Sequence, residues 1–331
     1  MAALILGYII LLVKLGIVLV ALLLIAAYLV YVERKLLARL QIRLGPNRAG
    51  PFGLLQPLAD AVKLLTKEDV IPRAADRWIF RLAPAVVAGT ALLIFAVVPF
   101  GQGWTIAGHP IPLVVSDLNV GLLYVLALSS VGVYGVAMGG WASNSKYALL
   151  GGIRGVAQMI SYELALGLAL VPVVMLAGSF SMVDIVAAQS RIPYLVLQPL
   201  AFVIFFISSV AETKRIPFDL PEAENELVAG FHTEYSGMRF GLFFLGEYVT
   251  MVVLGSLVAV FFLGGWQGPL LPPIIWFAIK VVAVAFFMIW MRGTLPRLRY
   301  DQLMHLGWKI LIPLALLNIV VTGGIMLWVG A

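Results

Sequence analysis

Eight runs of about 20 apolar residues, each long enough to cross a bilayer as a helix at 1.5 Å per residue, dominate this chain. They fall near 4–32, 79–99, 118–140, 156–177, 194–211, 239–263, 273–292 and 309–329. A soluble fold of 331 residues could not cover them, because only 11% of the residues are charged and 62% are apolar. Backbone polar groups in lipid must be satisfied within the segment, so runs of this length become helices. The expected class is an all-α polytopic membrane protein of about eight transmembrane helices, read as a single membrane domain over 1–331. The first run is too long for a signal peptide and has no small-residue cleavage site before its charges, so it reads as a retained helix.

The formal charge of +6 would suit nucleic acid if it were spread over one face. Instead the basic residues fall almost entirely in alternate loops, at 33–78, 141–155, 212–238 and 293–308, while the loops between are nearly free of them. By the positive-inside rule these four loops are cytoplasmic and both termini lie on the opposite, periplasmic side; no nucleic-acid partner is expected. Trp104, Trp266 and Trp328 fit an interfacial belt on that outer side. Within the first basic loop, GPNRAGP is turn chemistry, and Leu54, Leu58, Ala61 and Leu65 recur at helical spacing around Asp60 and Lys63. A short interfacial amphipathic helix follows from that pattern.

Cofactor chemistry finds little purchase. The chain has no cysteine to hold an iron–sulfur cluster. Its histidines (His109, His232, His305) stand far apart, and neither a P-loop nor a G-x-G-x-x-G after a strand occurs. The informative groups are carboxyls. Glu163 and Glu247 lie within apolar runs, about two turns in by the run boundaries, where an ionised side chain costs ~2.5–3.5 kcal/mol and the usual reason to keep one is a polar pathway. A hydrogen bond to a neighbouring helix would be the structural alternative. Both would share the inner half of the bilayer and converge if the fourth and sixth spans pack together. Glu33 and Glu212 stand at helix ends, and snorkelling accounts for Lys14 and Lys280.

The segment RIPFDLPEAENELVAGFHTEYSG (215–237) holds five of the sixteen acids: Asp219, Glu222, Glu224, Glu226 and Glu234. Asp219-Leu-Pro-Glu222 has the form of a helix start, with Asp as N-cap and Glu three residues on. Glu226 would then sit one turn after Glu222 on the same face, where like charges repel. Such a cluster needs protonation, or facing cations beyond Lys214 and Arg215. Gly230 and Gly237 read as hinges.

Four blocks carry a resemblance: VERKLLARLQIRLGPNRAGPFGLLQPLADAVKLLTKED, ASNSKYALLGGIRGVAQMISYE, RIPFDLPEAENELVAGFHTEYSGMRFGLFFLGEY and PRLRYDQLMHLGWK. Nearly end to end, the chain resembles the H-subunit family of proton-translocating NADH–quinone oxidoreductase, respiratory complex I, whose mitochondrial counterpart is NADH dehydrogenase subunit 1. Membrane anchors of energy-converting hydrogenases are more distant, and an independent secondary transporter would also show buried carboxyls. The resemblance implies a subunit without catalytic residues or a redox cofactor of its own, in a bacterial inner membrane, that forms most of a quinone chamber. FMN and iron–sulfur clusters would sit on partner subunits, and the neighbours would be quinone-site soluble subunits, small membrane subunits and antiporter-like subunits. Chamber positions carry over onto Glu33, Arg34, Asp60, Lys63, Phe218 and Arg292. Proton-coupling positions carry over onto Glu163, Glu212, Glu222, Glu224, Glu226 and Glu247, with Arg154, Tyr162, Arg215 and Tyr248 lining the same interior. Quinone reduction changes charge beside the chamber, and a string of carboxyls with linked titrations registers it as altered protonation.

Overall fold

In the computed structural model, the backbone is described for residues 2–106 and 109–329; side chains are described within these except at 2–6, 9, 104–106, 109–111 and 224–225. The helices, in chain order, are α1 (Ala2–Leu40), α2 (Gln56–Thr66), α3 (Arg77–Ile94), α4 (Gly121–Ala142), α5 (Lys146–Ala177), α6 (Met182–Ala188), α7 (Tyr194–Leu197), α8 (Pro199–Glu212), α9 (Glu224–Leu227), α10 (Gly237–Phe262), α11 (Pro273–Thr294), α12 (Tyr300–His305) and α13 (Ile312–Val329). A π-helical stretch, Leu306–Leu311, joins the last two. The hairpin β1 (Trp104–Ile106) with β2 (His109–Ile111) pairs antiparallel in the loop between α3 and α4.

Among the described residues, seven helical segments are long and apolar enough to span a membrane, the last running from Tyr300 through Val329. The fifth run, 194–211, differs from the expected continuous span: it breaks at Gln198, leaving the single turn α7 and the 14-residue α8. Pro199 causes the break, since proline disfavours helical backbone in the residue before it, and Gln198 takes φ −131° and ψ 55°. The amphipathic helix forms as α2, with no fully buried residue.

Helix α10 is the centre. Every residue from Tyr248 to Phe262 except Thr250 is buried, which requires a sequence apolar on all faces, as this one is. Around it pack α3, α11 and α1, while α4 and α5 pair beyond α3 and α5 lies against α8 and α13. Helices α4 and α5 approach closely through small residues. A Cβ on Gly140 would stand 2.6 Å from the Ala148 carbonyl oxygen and 3.0 Å from Gly152 Cα, so only glycine permits the contact.

The four basic loops gather at one end of the bundle. Asp76 N–H donates to Ala142 O across the first and second of them, and Leu298 N–H donates to Pro217 O across the third and fourth. The opposite end is tied by side chains. Lys280 Nζ donates to the carbonyls of Leu263, Gly265 and Gln267 at 2.6, 2.9 and 2.7 Å, and Lys14 Nζ to those of Pro112 and Val114. Both ammonium groups close backbone turns rather than snorkel to water. Trp266 is buried in the core, not interfacial, whereas Trp328 is exposed; the Trp104 side chain lies outside the described residues.

Candidate functional site: a buried carboxylate–arginine network

The segment between α8 and α10 (213–236) folds inward because Pro217, Pro221 and Gly230 deny it a continuous helix, leaving only the single turn α9 and a 3-10 turn at Gly230–His232. Its hub is Arg215, whose side chain is 4% exposed. Arg215 Nε donates to Glu247 Oε1 on α10 at 2.5 Å, and Nη1 donates to Glu33 Oε2 on α1. The other Glu33 oxygen accepts from Arg292 Nη1 on α11, so one carboxylate joins three elements. The Tyr248 ring lies 4.2 Å below the guanidinium. Planar, forked and weakly hydrated, guanidinium suits such a buried multi-partner site better than ammonium does. Burial alone would lower the Arg215 pKa; the Glu247 and Glu33 carboxylates outweigh it and hold the group above its ordinary value, a fixed positive charge.

Lys214 turns to the other side, over the Phe231 ring, and lines two small cavities with Glu247. The larger, about 40 Å³, also touches Glu212 and Ser129; the smaller, about 10 Å³, touches Glu222 and His232. By the ~10–15 Å³ that one water centre needs, the larger admits about three or four waters and the smaller is near the limit for one. Burial, then repulsion from Glu247 and Asp219, pushes the Glu222 carboxyl up to about 8, against the pull of Lys214 and Arg215. Burial, helped by Lys214, brings the His232 imidazole down to about 4. The buried Lys214 ammonium is itself lowered by desolvation, opposed by Glu222, Glu247 and Glu212.

Beyond the larger cavity, Ser129 Oγ on α4 lies 2.9 Å from Glu212 Oε1 and 3.2 Å from Glu163 Oε1. Ser130 Oγ also donates to Glu163 Oε1. Glu163 is 17 positions after Lys146, ~26 Å along α5 at 1.5 Å per residue, because α5 starts well before its apolar run. The fourth and sixth runs, α5 and α10, do not pack directly to bring Glu163 and Glu247 together. The link passes through α4 and the end of α8.

The remaining expected residues divide. Arg34 Nη1 meets Asp60 Oδ2 at 2.7 Å, with Lys63 3.9 Å from the same carboxylate, clasping α1 to α2 at a partly exposed seam. Phe218 is buried against Tyr162, with ring centroids 5.5 Å apart, and Tyr162 Oη donates to Leu303 O. Arg154 meets Glu226 at 2.5 Å at the surface. The helix start expected at Asp219 is not there: 220–222 form a turn and α9 begins at Glu224. Asp219 Oδ2 accepts instead from Arg297 Nη2 at 2.6 Å, a partner 78 residues away that outcompetes a local cap. Glu222 and Glu226 therefore do not share a helix face; the first points inward and the second to Arg154. The Glu224 side chain lies outside the described residues.

Gly230 is a contact point rather than a free hinge. At φ 60° it presses on Pro221, and a Cβ there would collide with the Pro221 carbonyl oxygen. Sequence reasoning gave no role to Ser129, Ser130, His232 or Arg297. The adjacent hydroxyls in LALSSVGV were a weak signal, since serine in an apolar helix often bonds only its own backbone.

Fold and site define a multi-pass membrane protein that carries an ion network from one end of its bundle into the apolar interior, without a metal-ligand cluster among its described residues. Residues 13–323 match the family described as NADH dehydrogenase. The chain belongs to that family, in its H-subunit branch. It is 74% identical to an H subunit of NADH-quinone oxidoreductase from Syntrophobacter fumaroxidans, over 98% of each chain. It is 68% identical to an H subunit from Geobacter sulfurreducens over 96% of each, and 55% identical to the H subunit from Thermomicrobium roseum over 91% and 92%.

Proposed function

We propose that this chain is the membrane subunit of a proton-translocating NADH–quinone oxidoreductase that walls the quinone chamber and links quinone reduction to proton movement. The observation that supports this most is the continuity of Glu33, Arg215 and Glu247 with Glu212 and Glu163 through the cavity of about 40 Å³. Buried ion pairs are rarely kept for stability alone, because desolvation offsets most of their attraction. A network of fixed cations and movable protons is, however, what charge sensing requires.

In this reading Glu33, Arg292 and Phe218 border the chamber from within, and Arg34, Asp60 and Lys63 guard its mouth. Reduction of the quinone takes up two electrons and two protons. The charge change alters the balance around Arg215, and Glu222, Glu224, Glu226, Glu247, Glu212 and Glu163 respond by shifting protons. Arg154, Tyr162 and Tyr248 hold that interior in place. FMN and iron–sulfur clusters on soluble partner subunits supply the electrons, and small and antiporter-like membrane subunits receive the coupling. The basic loops 33–78, 141–155, 212–238 and 293–308 face the bacterial cytoplasm, and both termini the periplasm.

The test is Glu163→Gln in the assembled complex. Glutamine keeps shape and hydrogen bonding but carries no proton. NADH–quinone turnover and pumping should fall together severalfold, with Glu247→Gln alike and electron transfer to an artificial acceptor unchanged. An assembled Glu163→Gln enzyme with normal turnover and normal pumping refutes the reading.

A further inference from the structure

The hydrogen-bond inventory around Ser129 does not balance if both neighbouring carboxyls are ionised. A serine hydroxyl has one hydrogen to give, and an ionised carboxylate only accepts. Yet Ser129 Oγ is within bonding distance of Glu212 Oε1 at 2.9 Å and of Glu163 Oε1 at 3.2 Å. Both contacts are hydrogen bonds at once only when one carboxyl is protonated and donates to Oγ while Oγ–H donates to the other. With two carboxylates, one oxygen would face a serine lone pair, with two negative charges beside each other in an apolar bundle.

Ser130 is built to tolerate either arrangement. Its Oγ has two acceptors in reach, the Leu126 carbonyl at 3.1 Å and Glu163 Oε1. With Glu163 ionised, Ser130 donates to it. With Glu163 protonated and its hydrogen given to Ser129, Ser130 either still donates to that oxygen or turns its hydrogen to Leu126 O. The two ends of the bridge also differ in surroundings. Glu212 is buried beside the cavity that Lys214 and Glu247 line, whereas Ser130 is exposed on the bundle flank and Glu163 is half-buried.

We propose that Ser129 is a proton-bridging residue: Glu212 and Glu163 share one proton, and the Ser129 hydroxyl passes it between them. In the forward step the Glu212 O–H bond breaks and its proton joins Ser129 Oγ. The original Ser129 hydrogen leaves in the same motion and forms an O–H bond on Glu163. The negative charge moves from Glu163 to Glu212, no electrons are transferred, and a rotation of the hydroxyl resets the bridge. The inference rests on the proton-linked reading above and adds to it a residue and a stoichiometry.

The assembled complex carrying Ser129→Ala, Ser129→Thr and Glu163→Gln tests it. Ser129→Ala should cut NADH–quinone turnover on the order of tenfold, less than the ~100-fold or more that a positioned acid–base group can contribute, since water in the adjoining cavity partly substitutes. Ser129→Thr keeps the hydroxyl and should restore the rate. By infrared difference spectroscopy, wild type should show a protonated-carboxyl C=O band that Glu163→Gln alters and Ser129→Ala shifts. This readout is independent of turnover. Normal turnover with an unshifted band in Ser129→Ala overturns the bridge, as does a threonine variant as slow as alanine. Should Glu163→Gln be slow while Ser129→Ala is normal, the bridge alone fails; should Glu163→Gln itself turn over and pump normally, the proton-linked reading fails with it.

Discussion

Replacing Arg215 with methionine isolates the contribution of the buried network. The side chains of Arg215, Glu33 and Glu247 are only 4%, 3% and 11% exposed. Without the guanidinium, Glu33 retains Arg292, but Glu247 loses the cation that bonded it at 2.5 Å. Removing one partner of a buried pair typically costs ~3–5 kcal/mol, chiefly through the charge left behind. Lys214 beside the same cavities and space for water around Glu247 place this case at the low end, ~3 kcal/mol. At about 1.4 kcal/mol per decade, that raises the population of an undocked 213–236 segment on the order of 100-fold. Amide hydrogen exchange over that segment reads the change directly, alongside thermal denaturation of the complex. Adding Glu247→Gln to Arg215→Met should recover most of the loss, because the stranded charge is gone. Unchanged protection in Arg215→Met, or a double variant worse than the single, would refute the account of Arg215 as the cation that makes Glu247 tolerable.

Gly230→Ala should destabilise the same segment by at least ~2 kcal/mol, since the left-handed conformation alone costs ~1–2 kcal/mol and the Pro221 carbonyl blocks the new methyl; assembly yield and exchange rates check it. The pH dependence of protection over 213–236 should have two limbs, read after correction for intrinsic exchange. Glu222, raised from 4.5 to about 8, contributes stability that is full below 4.5 and lost as pH rises through about 8. His232, lowered from 6.5 to about 4, contributes stability that is full above 6.5 and lost as pH falls through about 4. Glu222→Gln should remove the alkaline limb and leave the acid one. Asp60→Ala or Arg34→Ala breaks a partly exposed pair worth no more than ~1 kcal/mol, so the complex should assemble. Quinone reduction should fall while NADH oxidation by an artificial acceptor persists; equal loss of both activities would mark a folding defect instead.

What was legible in the sequence was what depends on local composition. Apolar runs marked the membrane helices, and leucine spacing marked α2. Intramembrane carboxyls announced a polar interior because their cost is felt wherever the helix goes. Tertiary partners were not legible. Asp219 had every local credential of an N-cap, yet Arg297 took it. Trp266 belongs to the core because of how the loop after α10 folds back. Lys280 bonds three carbonyls, where local sequence points only to snorkelling. The convergence of Glu163 with Glu212 depends on Ser129, which no pattern in α4 distinguishes from a serine bonded to its own helix.

The π-helical stretch Leu306–Leu311 sets the angular phase of the last span. A π turn holds an extra residue within its i→i+5 loop, and at 3.6 residues per turn one residue is worth ~100° of rotation. Everything after Leu311 is therefore turned by about that angle relative to an uninterrupted helix from Tyr300. On α13 that phase aims Asn318 and Thr322 at Gln198, which accepts from Asn318 Nδ2 at 2.9 Å and donates to Thr322 Oγ1 at 3.0 Å. Gln198 is the residue at which the fifth run breaks. The irregular turn in one helix thus supplies polar partners for the interruption in another, and two departures from ideal helix geometry satisfy each other.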